Sequence, residues 1–576
     1  MKTNKKIPYG ISDFEKLIHQ NCYFIDNTHY IEVLENMGES YLFFFRPRRF
    51  GKSLFLSILA YYYDLRHKDK FEALFAAQYI GKHPTPMANQ YAILHLNFSG
   101  IDTSTFEKTY QDFLHQIRTS VESFIEVYGL ISEDDKNKII QQKAPNALMR
   151  EFFKAYKNKD IKIYLLVDEY DHFTNEILAF DFPQFQGIVT GEGYVRKFYE
   201  VIKNATWEGI IDRIFMTGVT PVTLDSLTSG FNIGRNISDT LLMHEMMGFS
   251  HSQVEELVEA FLEPDQAHKT FIMQELKNWY NGYKFSKKAK QLIYNPDMVL
   301  YFLSEYLLQQ NFPDKMLDTN IASDYGKMKN LFRVKNPDQN YEVLKDIVEG
   351  NDLYAMITQQ FSFEREFESA DFISLLYYMG YLTLRESSLL GTTRLEIPNY
   401  VTQKLYLDFL VNLLKQKENL QIPSKAVGEA IEAMALQGNV QAFFQIIEGV
   451  LVHLSSRDYQ DFDEKYIKAI IMGIALTYPL YFIVSERETH QGYMDLLFLE
   501  QVPYTPQYQF VFELKYLKKA EEKKLQSTQE EAKKQLLKYL EGKEQLKHQP
   551  NLRAYTLVVV KSKIHIENVS LLDSST

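Results

Sequence analysis

The sequence predicts an α/β protein: an N-terminal parallel sheet with helices on both faces, a helical middle region and a second α/β domain at the C-terminus. Three observations lead there. Between residues 41 and 222, short apolar runs rich in β-formers alternate with amphipathic stretches, and strands that are apolar throughout belong to parallel sheets buried on both faces. From about 250 to 455 apolar residues recur mainly at helical spacing. After 464 the order becomes helix, strand hairpin, helix, strand. At 576 residues the chain exceeds what one core organises, and the changes of pattern divide it into 1–250, 251–455 and 456–576.

The first strand is expected over 41–45, Tyr-Leu-Phe-Phe-Phe, and a helix over 53–64 follows it. Further strands are expected at 92–97, 163–167 and 214–217, with an amphipathic helix over 105–128 between the first two. In the middle region helices are expected at 253–261 and 426–452, with a small hairpin over 381–397. The uncharged stretch 469–484 is too short to span a membrane and is broken by Pro479, so it reads as a buried helix running into a strand. Strands at 493–500 and 509–517, a charged helix over 521–541 and a strand at 554–560 complete the chain.

Composition narrows the function. Hydrophobic residues make up 45% and charged residues 24%, with 25 Gly and 17 Pro, the balance of a chain that buries a large core rather than one that stays disordered. The net charge of -12 repels polyanions at long range, which argues against a constitutive nucleic-acid coat protein. Contact with nucleic acid then requires a local basic groove or a bound metal. A single cysteine, Cys22, excludes an internal disulfide framework and a Cys-based zinc knuckle. With no apolar leader at its start, the chain is expected to be soluble and cytoplasmic, without a membrane partner.

The run Arg46-Pro-Arg-Arg-Phe-Gly-Lys-Ser53 joins the first expected strand to the first expected helix, the setting in which a P-loop wraps phosphates with backbone N–H groups. Gly51, Lys52 and Ser53 would bind ATP, with Lys52 on the β and γ phosphates and the Ser53 hydroxyl on Mg²⁺. Arg46 stands where the general pattern has its first glycine. Ile163-Tyr-Leu-Leu-Val-Asp-Glu-Tyr-Asp171 is an apolar strand ending in acids: Asp168 would hold Mg²⁺, and Glu169 would orient and deprotonate the attacking water. Either motif alone is a common accident; together, each in its strand context, they predict a P-loop NTPase fold. Thr217, at the end of a later strand, is a polar sensor of the γ-phosphate or an ordinary polar strand end. Arg213 and Arg235 are available as arginine fingers, with neither assigned.

A second constellation is Asp495 followed by Glu513-Leu514-Lys515. The strand period of two puts Glu513 and Lys515 on one face, and the turn Val502-Pro-Tyr-Thr-Pro506 brings Asp495 back to them. Asp495 and Glu513 would ligate Mg²⁺, and Lys515 would position or help deprotonate a water for in-line attack on a phosphodiester. The bland alternative is a solvated strand with a surface Glu and Lys. Glu464, Glu486 and Glu488 can add a carboxylate, and Gln535 can bond the substrate backbone or a metal-bound water. The lysines between 515 and 547 alternate with glutamates, so they read as a solvated helix face. His244-Glu245 lacks the second histidine of a zinc protease, because Gly248 occupies its place. Trp279-Tyr-Asn-Gly-Tyr283 and Tyr294-Asn-Pro296 read as packing aromatics beside turns.

These residues together resemble the bacterial AAA-ATPase-like proteins fused to a C-terminal PD-(D/E)XK nuclease-superfamily domain. Tyr9-Gly-Ile-Ser-Asp-Phe-Glu15, the block from Arg46 to Leu54, Val167-Asp-Glu-Tyr-Asp171, Thr217-Gly-Val-Thr-Pro221, the two aromatic motifs and Gly380-Tyr-Leu-Thr383 carry the first half of the likeness. Ser485-Glu-Arg-Glu-Thr489, Gly492, Asp495, Phe512-Glu-Leu-Lys515, Ala532 and Gln535 carry the second. Arginine at position 46 is typical of that family. Two positions depart from it: Tyr493 replaces a usual Arg, and Asn27 a usual Lys. The resemblance implies an AAA-like P-loop domain and a PD-(D/E)XK nuclease-like domain, with ATP and Mg²⁺, or Mn²⁺ at the nuclease site. The expected function is an ATPase coupled to a metal-dependent nuclease that meets nucleic acid, DNA by preference, transiently. The alternative is a nucleotide-dependent switch or interaction protein whose inactive nuclease fold binds a partner. Homo-oligomer formation and a protein partner are left open.

Overall fold

Apolar strands and intervening helices build a five-stranded parallel sheet in the order β2-β3-β4-β1-β5. Its strands are β1 (Tyr41–Phe45), β2 (Ala92–Asn97), β3 (Ile163–Asp168), β4 (Ile211–Gly218) and β5 (Arg235–Asn236). All of β3 is buried, as a strand covered on both faces must be. The helices Lys52–Tyr63, Phe106–Tyr128 and Tyr194–Trp207 lie between successive strands. Thr105 caps the second of these by accepting from the Lys108 N–H, and Gly129, at φ 62°, ends it in the left-handed conformation that glycine adopts freely. Phe44, Leu59, Leu94, Leu165 and Phe215 are fully buried at the centre, each worth about 1.5–3 kcal/mol of apolar burial.

The computed structural model describes residues 3–227, 231–318, 324–361, 367–387, 391–417, 420–455, 463–489, 492–541 and 551–570. The chain forms two compact units: Met1–Leu308 with Gly326–Val343 and Asp352–Tyr400, and Gln309–Tyr325 with Leu344–Asn351 and Val401–Thr576. The helical stretch is thus shared between them. In the first unit the expected hairpin is β7 (Thr383–Ser387) with β8 (Thr393–Glu396), and β6 (Leu353–Ala355) pairs with β8 to complete a three-stranded sheet. Among the described residues no helix is long and apolar enough to cross a membrane.

In the second unit the helix expected over 426–452 is two, Ser424–Gln437 and Gln441–Ser455, because Gly438 turns left-handed at φ 69° and caps the first. The helix Glu464–Ala475 leads into an antiparallel meander, β9 (Tyr481–Thr489), β10 (Gly492–Glu500) and β11 (Gln509–Leu517). The helix Leu525–Glu541 then crosses to β12 (Leu552–Val560), which pairs in parallel with β11, and β13 (Lys563–Val569) closes the edge. The first turns of the expected charged helix are 3₁₀, Lys519–Lys524. Leu497, Val511, Leu552, Ala554 and Val569 on the sheet pack against Leu536 and Leu540 of the crossing helix.

Candidate functional site

In the first unit the loop after β1 ends at Gly51, whose φ of 88° only glycine adopts without strain, and no side chain caps the helix Lys52–Tyr63 that follows. The N–H groups of its first turn therefore suit an anion. Lys52 is buried, and its Nζ donates to the carbonyls of Arg46 and Pro47, both at 2.9 Å. Burial pushes its pKa down to about 8, with Asp168 opposing. At the end of β3, Asp168 Oδ1 accepts from the Thr217 hydroxyl at 2.8 Å and from the Glu169 N–H at 3.0 Å. The strand order makes that contact, since β4 lies between β3 and β1 and carries Thr217 beside Asp168. Glu169 is half-buried and has a left-handed φ of 48°. Ser53, half-buried, is in the first helical turn.

Sequence reasoning placed Asp171 in the acidic motif but gave it no role. Its carboxylate accepts from the N–H groups of Val219 (3.0 Å) and Thr220 (2.6 Å), from the Thr220 hydroxyl (3.0 Å) and from Asn175 Nδ2 (2.6 Å), clamping the loop after Thr217. Gly218 permits this approach: a Cβ there would lie 2.4 Å from Asp171 Oδ1 and 2.5 Å from the Tyr170 ring. The strand ends were visible in the sequence, but the bond between them joins segments almost fifty positions apart.

Arg46 is a strut. Its guanidinium is buried, donates to the carbonyls of Phe45 (2.9 Å), Ser238 (2.8 Å) and Met243 (2.9 Å), and lies 4.2 Å from the ring centroids of Phe44 and Phe285. The aromatic motifs also serve this loop. Phe50 meets Tyr283 and Phe285 edge-on at 5.1 and 5.3 Å, Asn295 Nδ2 donates to the Arg48 carbonyl, and a Cβ on Gly380 would come within 2.8 Å of Pro47. Asp26 and Thr28 accept from the N–H groups of Tyr79 and Ile80 at the start of a short helix, while Asn27 bonds Gln253 and the Met246 carbonyl. His244 is no metal ligand here: its Nε2 donates to the Gln291 carbonyl at 3.0 Å and its Nδ1 accepts from the Phe285 N–H at 3.4 Å, a bonding pattern that assigns the neutral ring. Burial pushes its pKa down to about 4. Of the arginines, Arg235 pairs with Glu39, and Arg213 is buried beside Tyr91 and Tyr164.

In the second unit Leu496 pairs with Phe512, and one further step of the register sets Asp495 opposite Glu513. Lys515 Nζ is 3.0 Å from Glu513 Oε1, 4.0 Å from Asp495 Oδ2 and 3.9 Å from Glu464 Oε1. Asp495 Oδ2 also accepts from the Leu514 N–H at 2.9 Å, and Oδ1 accepts from Lys468 Nζ at 3.0 Å. Burial raises the Glu513 pKa to about 8, with Asp495 adding and Lys515 opposing. Burial also raises Glu464. It acts against the Lys515 ammonium, but Glu513, Glu464 and Asp495 outweigh it and hold that group above its ordinary range.

Glu513 Oε2 is buried with no hydrogen-bond partner, as are Gln535 Oε1 and the hydroxyl of Thr556, the β12 neighbour of Glu513. Thr556 was not read from the sequence. Among the described residues no three His, Cys, Asp or Glu side chains are gathered to hold a metal. The residues nonetheless fit one: an orphaned carboxylate oxygen beside a second carboxylate suits Mg²⁺, which takes one or two carboxylates and completes its shell with water and phosphate. The side chains of Glu486, Glu488 and Tyr493 lie outside the described residues.

Residues 8–228 match the model of a predicted AAA-ATPase family, and residues 462–569 that of the PD-(D/E)XK nuclease superfamily. An uncharacterized protein in the vnfD 5′ region of Azotobacter chroococcum mcd 1 is 27% identical over 302 residues, 52% of either chain, so this chain spans about half the length of that curated relative. Among solved structures, the Aeropyrum pernix ORC1 protein in complex with DNA is similar at a TM-score of 0.25 and 10% identity, over 67% of this chain and 93% of that one.

Proposed function

Because the chain carries an AAA-ATPase-like domain followed by a PD-(D/E)XK nuclease-superfamily domain, we propose that it binds and hydrolyses ATP and couples that cycle to metal-dependent hydrolysis of phosphodiester bonds in nucleic acid. One observation carries the reading: Glu513 presents a buried, unpartnered oxygen while its other oxygen bonds Lys515, with Asp495 alongside. Asp495 and Glu513 would hold the ion. When bound, Mg²⁺ or Mn²⁺ lowers the pKa of a water and screens the phosphate charge. Lys515 stays protonated among three carboxylates, so it orients the water and steadies developing negative charge instead of taking the proton. In the ATPase, Lys52 exchanges its two carbonyl partners for the β and γ phosphates. Thr217 fixes the Asp168 carboxylate; Ser53 and Asp168 would hold Mg²⁺, Thr217 would sense the γ-phosphate, and Glu169 would orient and deprotonate the attacking water. The nucleotide site belongs to 1–250 and the nuclease site to 456–576, with 251–455 relaying between the two activities. DNA is the favoured substrate in the cytoplasm, and the net charge of -12 keeps the encounter brief.

A second reading, an ATP-dependent switch whose nuclease fold only binds a partner, is favoured by the Lys468–Asp495 ion pair, which neutralises a would-be metal ligand. Cleavage of supercoiled plasmid and single-stranded DNA with Mg²⁺ or Mn²⁺, with and without ATP, separates the two. The nuclease reading expects cleavage that Lys515→Ala abolishes and that Lys52→Ala uncouples from ATP. Undiminished cleavage by Lys515→Ala refutes the site, and no cleavage under any condition with ATP still bound supports the switch.

A further inference from the structure

Lys468 belongs to no motif in the sequence, yet its ammonium is buried against the C-terminal site. It lies one turn after Glu464 on the helix Glu464–Ala475 and is 5% exposed, and its partner Asp495 is 8% exposed. Its neighbours along the helix, Ile467, Ala469, Ile470 and Ile471, are all buried and apolar. A lysine in such a place carries a large desolvation cost, which the 3.0 Å bond to Asp495 Oδ1 offsets. The two oxygens of Asp495 therefore have different company: Oδ1 meets Lys468, while Oδ2 meets the Leu514 N–H and lies toward Lys515, which bonds Glu513.

Charge counting gives this arrangement a consequence. Among the described residues, Glu464, Asp495 and Glu513 face Lys468 and Lys515, a net single negative charge when all are ionised. One divalent ion turns that into a single positive charge. A second would leave three positive charges in a buried place, where like charges repel several times more strongly than in water. We propose that Lys468 is a built-in cation that, by holding Asp495 Oδ1, takes the place of a second divalent ion and limits this site to one, held by Asp495 Oδ2 and Glu513 Oε2. The inference rests on the metal-dependent reading above.

Manganese alone is titrated into the full, nucleotide-free chain and followed by calorimetry and electron paramagnetic resonance, counting the ions that Asp495→Asn loses. The expected count is one in the parent, one in Lys468→Arg and two in Lys468→Ser, the last with the broadened signal of ions close together. Two ions in the parent, or one in Lys468→Ser, overturn the role of Lys468 and leave the metal reading standing. No ion in the parent overturns the metal reading, and this inference with it. Circular dichroism checks that each variant is folded; if Lys468→Ser is not, Lys468→Gln, which keeps a donor for Asp495 without the charge, carries the same expectation of two.

Discussion

Replacing Arg46 with glycine restores the general phosphate-loop pattern, and the structure predicts that it weakens the protein. The change deprives three buried carbonyls, those of Phe45, Ser238 and Met243, of a charged donor, at about 2 kcal/mol each. It also removes contacts with the faces of Phe44 and Phe285, at about 1 kcal/mol each. Against this stands relief from burying a charge. Burial, opposed by Tyr377 and Asp239, pushes the Arg46 pKa far below the ordinary arginine range, to about 9, and at 1.36 kcal/mol per pH unit that relief is worth about 5 kcal/mol. The bonds and stacks win by about 3 kcal/mol. Urea unfolding of the full chain measures the difference, and ATP binding to the folded variant is measured beside it. Arg46→Lys keeps the charge but loses the planar fork, so its stability is expected between the two. A glycine variant as stable as the parent refutes the strut, and one that is stable but no longer binds ATP makes Arg46 a phosphate ligand.

Lys515→Ala is expected to lower DNA cleavage by about 10²-fold or more, the usual scale for losing a charge-stabilising donor, while Mn²⁺ still binds at Asp495 and Glu513 by calorimetry. Gly218→Ala forces a methyl group onto Asp171 and Tyr170, and is expected to cost about 2 kcal/mol in urea unfolding and to slow ATP hydrolysis through the displaced Thr217. His244 makes the protein acid-sensitive. Its folded pKa of about 4 lies below the ordinary 6.5, so stability is fully present above about pH 6.5 and is lost as pH falls toward 4, by about 3 kcal/mol at most. Unfolding of the parent and of His244→Gln across that range tests it, since the variant's curve should be the flatter.

β1 and β3 were legible because strands of a parallel sheet buried on both faces are apolar almost throughout, and β1, β2 and β11 begin and end at the expected residues. What stayed hidden has physical causes. β5 has two residues and β6 three, too few for a period to show. β13, Lys-Ile-His-Ile-Glu-Asn-Val, is an edge strand whose charged and polar residues mask its pairing. The Asp495, Glu513 and Lys515 cluster could be assembled from spacing because a strand period and one turn determine it. Lys468, Asp171 and Thr556 could not, because each acquires its meaning from a residue on another element, and an isolated Lys or Thr in an apolar run carries no local signal.

Nine consecutive residues of β11 pair in parallel with β12, from Gln509 with Leu552 to Leu517 with Val560. On its other edge β11 pairs antiparallel with β10, Leu496 with Phe512, and a slip of one residue there would turn Glu513 and Lys515 away from Asp495 together. On the proposed nuclease reading the three side chains are therefore kept or lost as a set, and damage to either ladder is expected to be all-or-none.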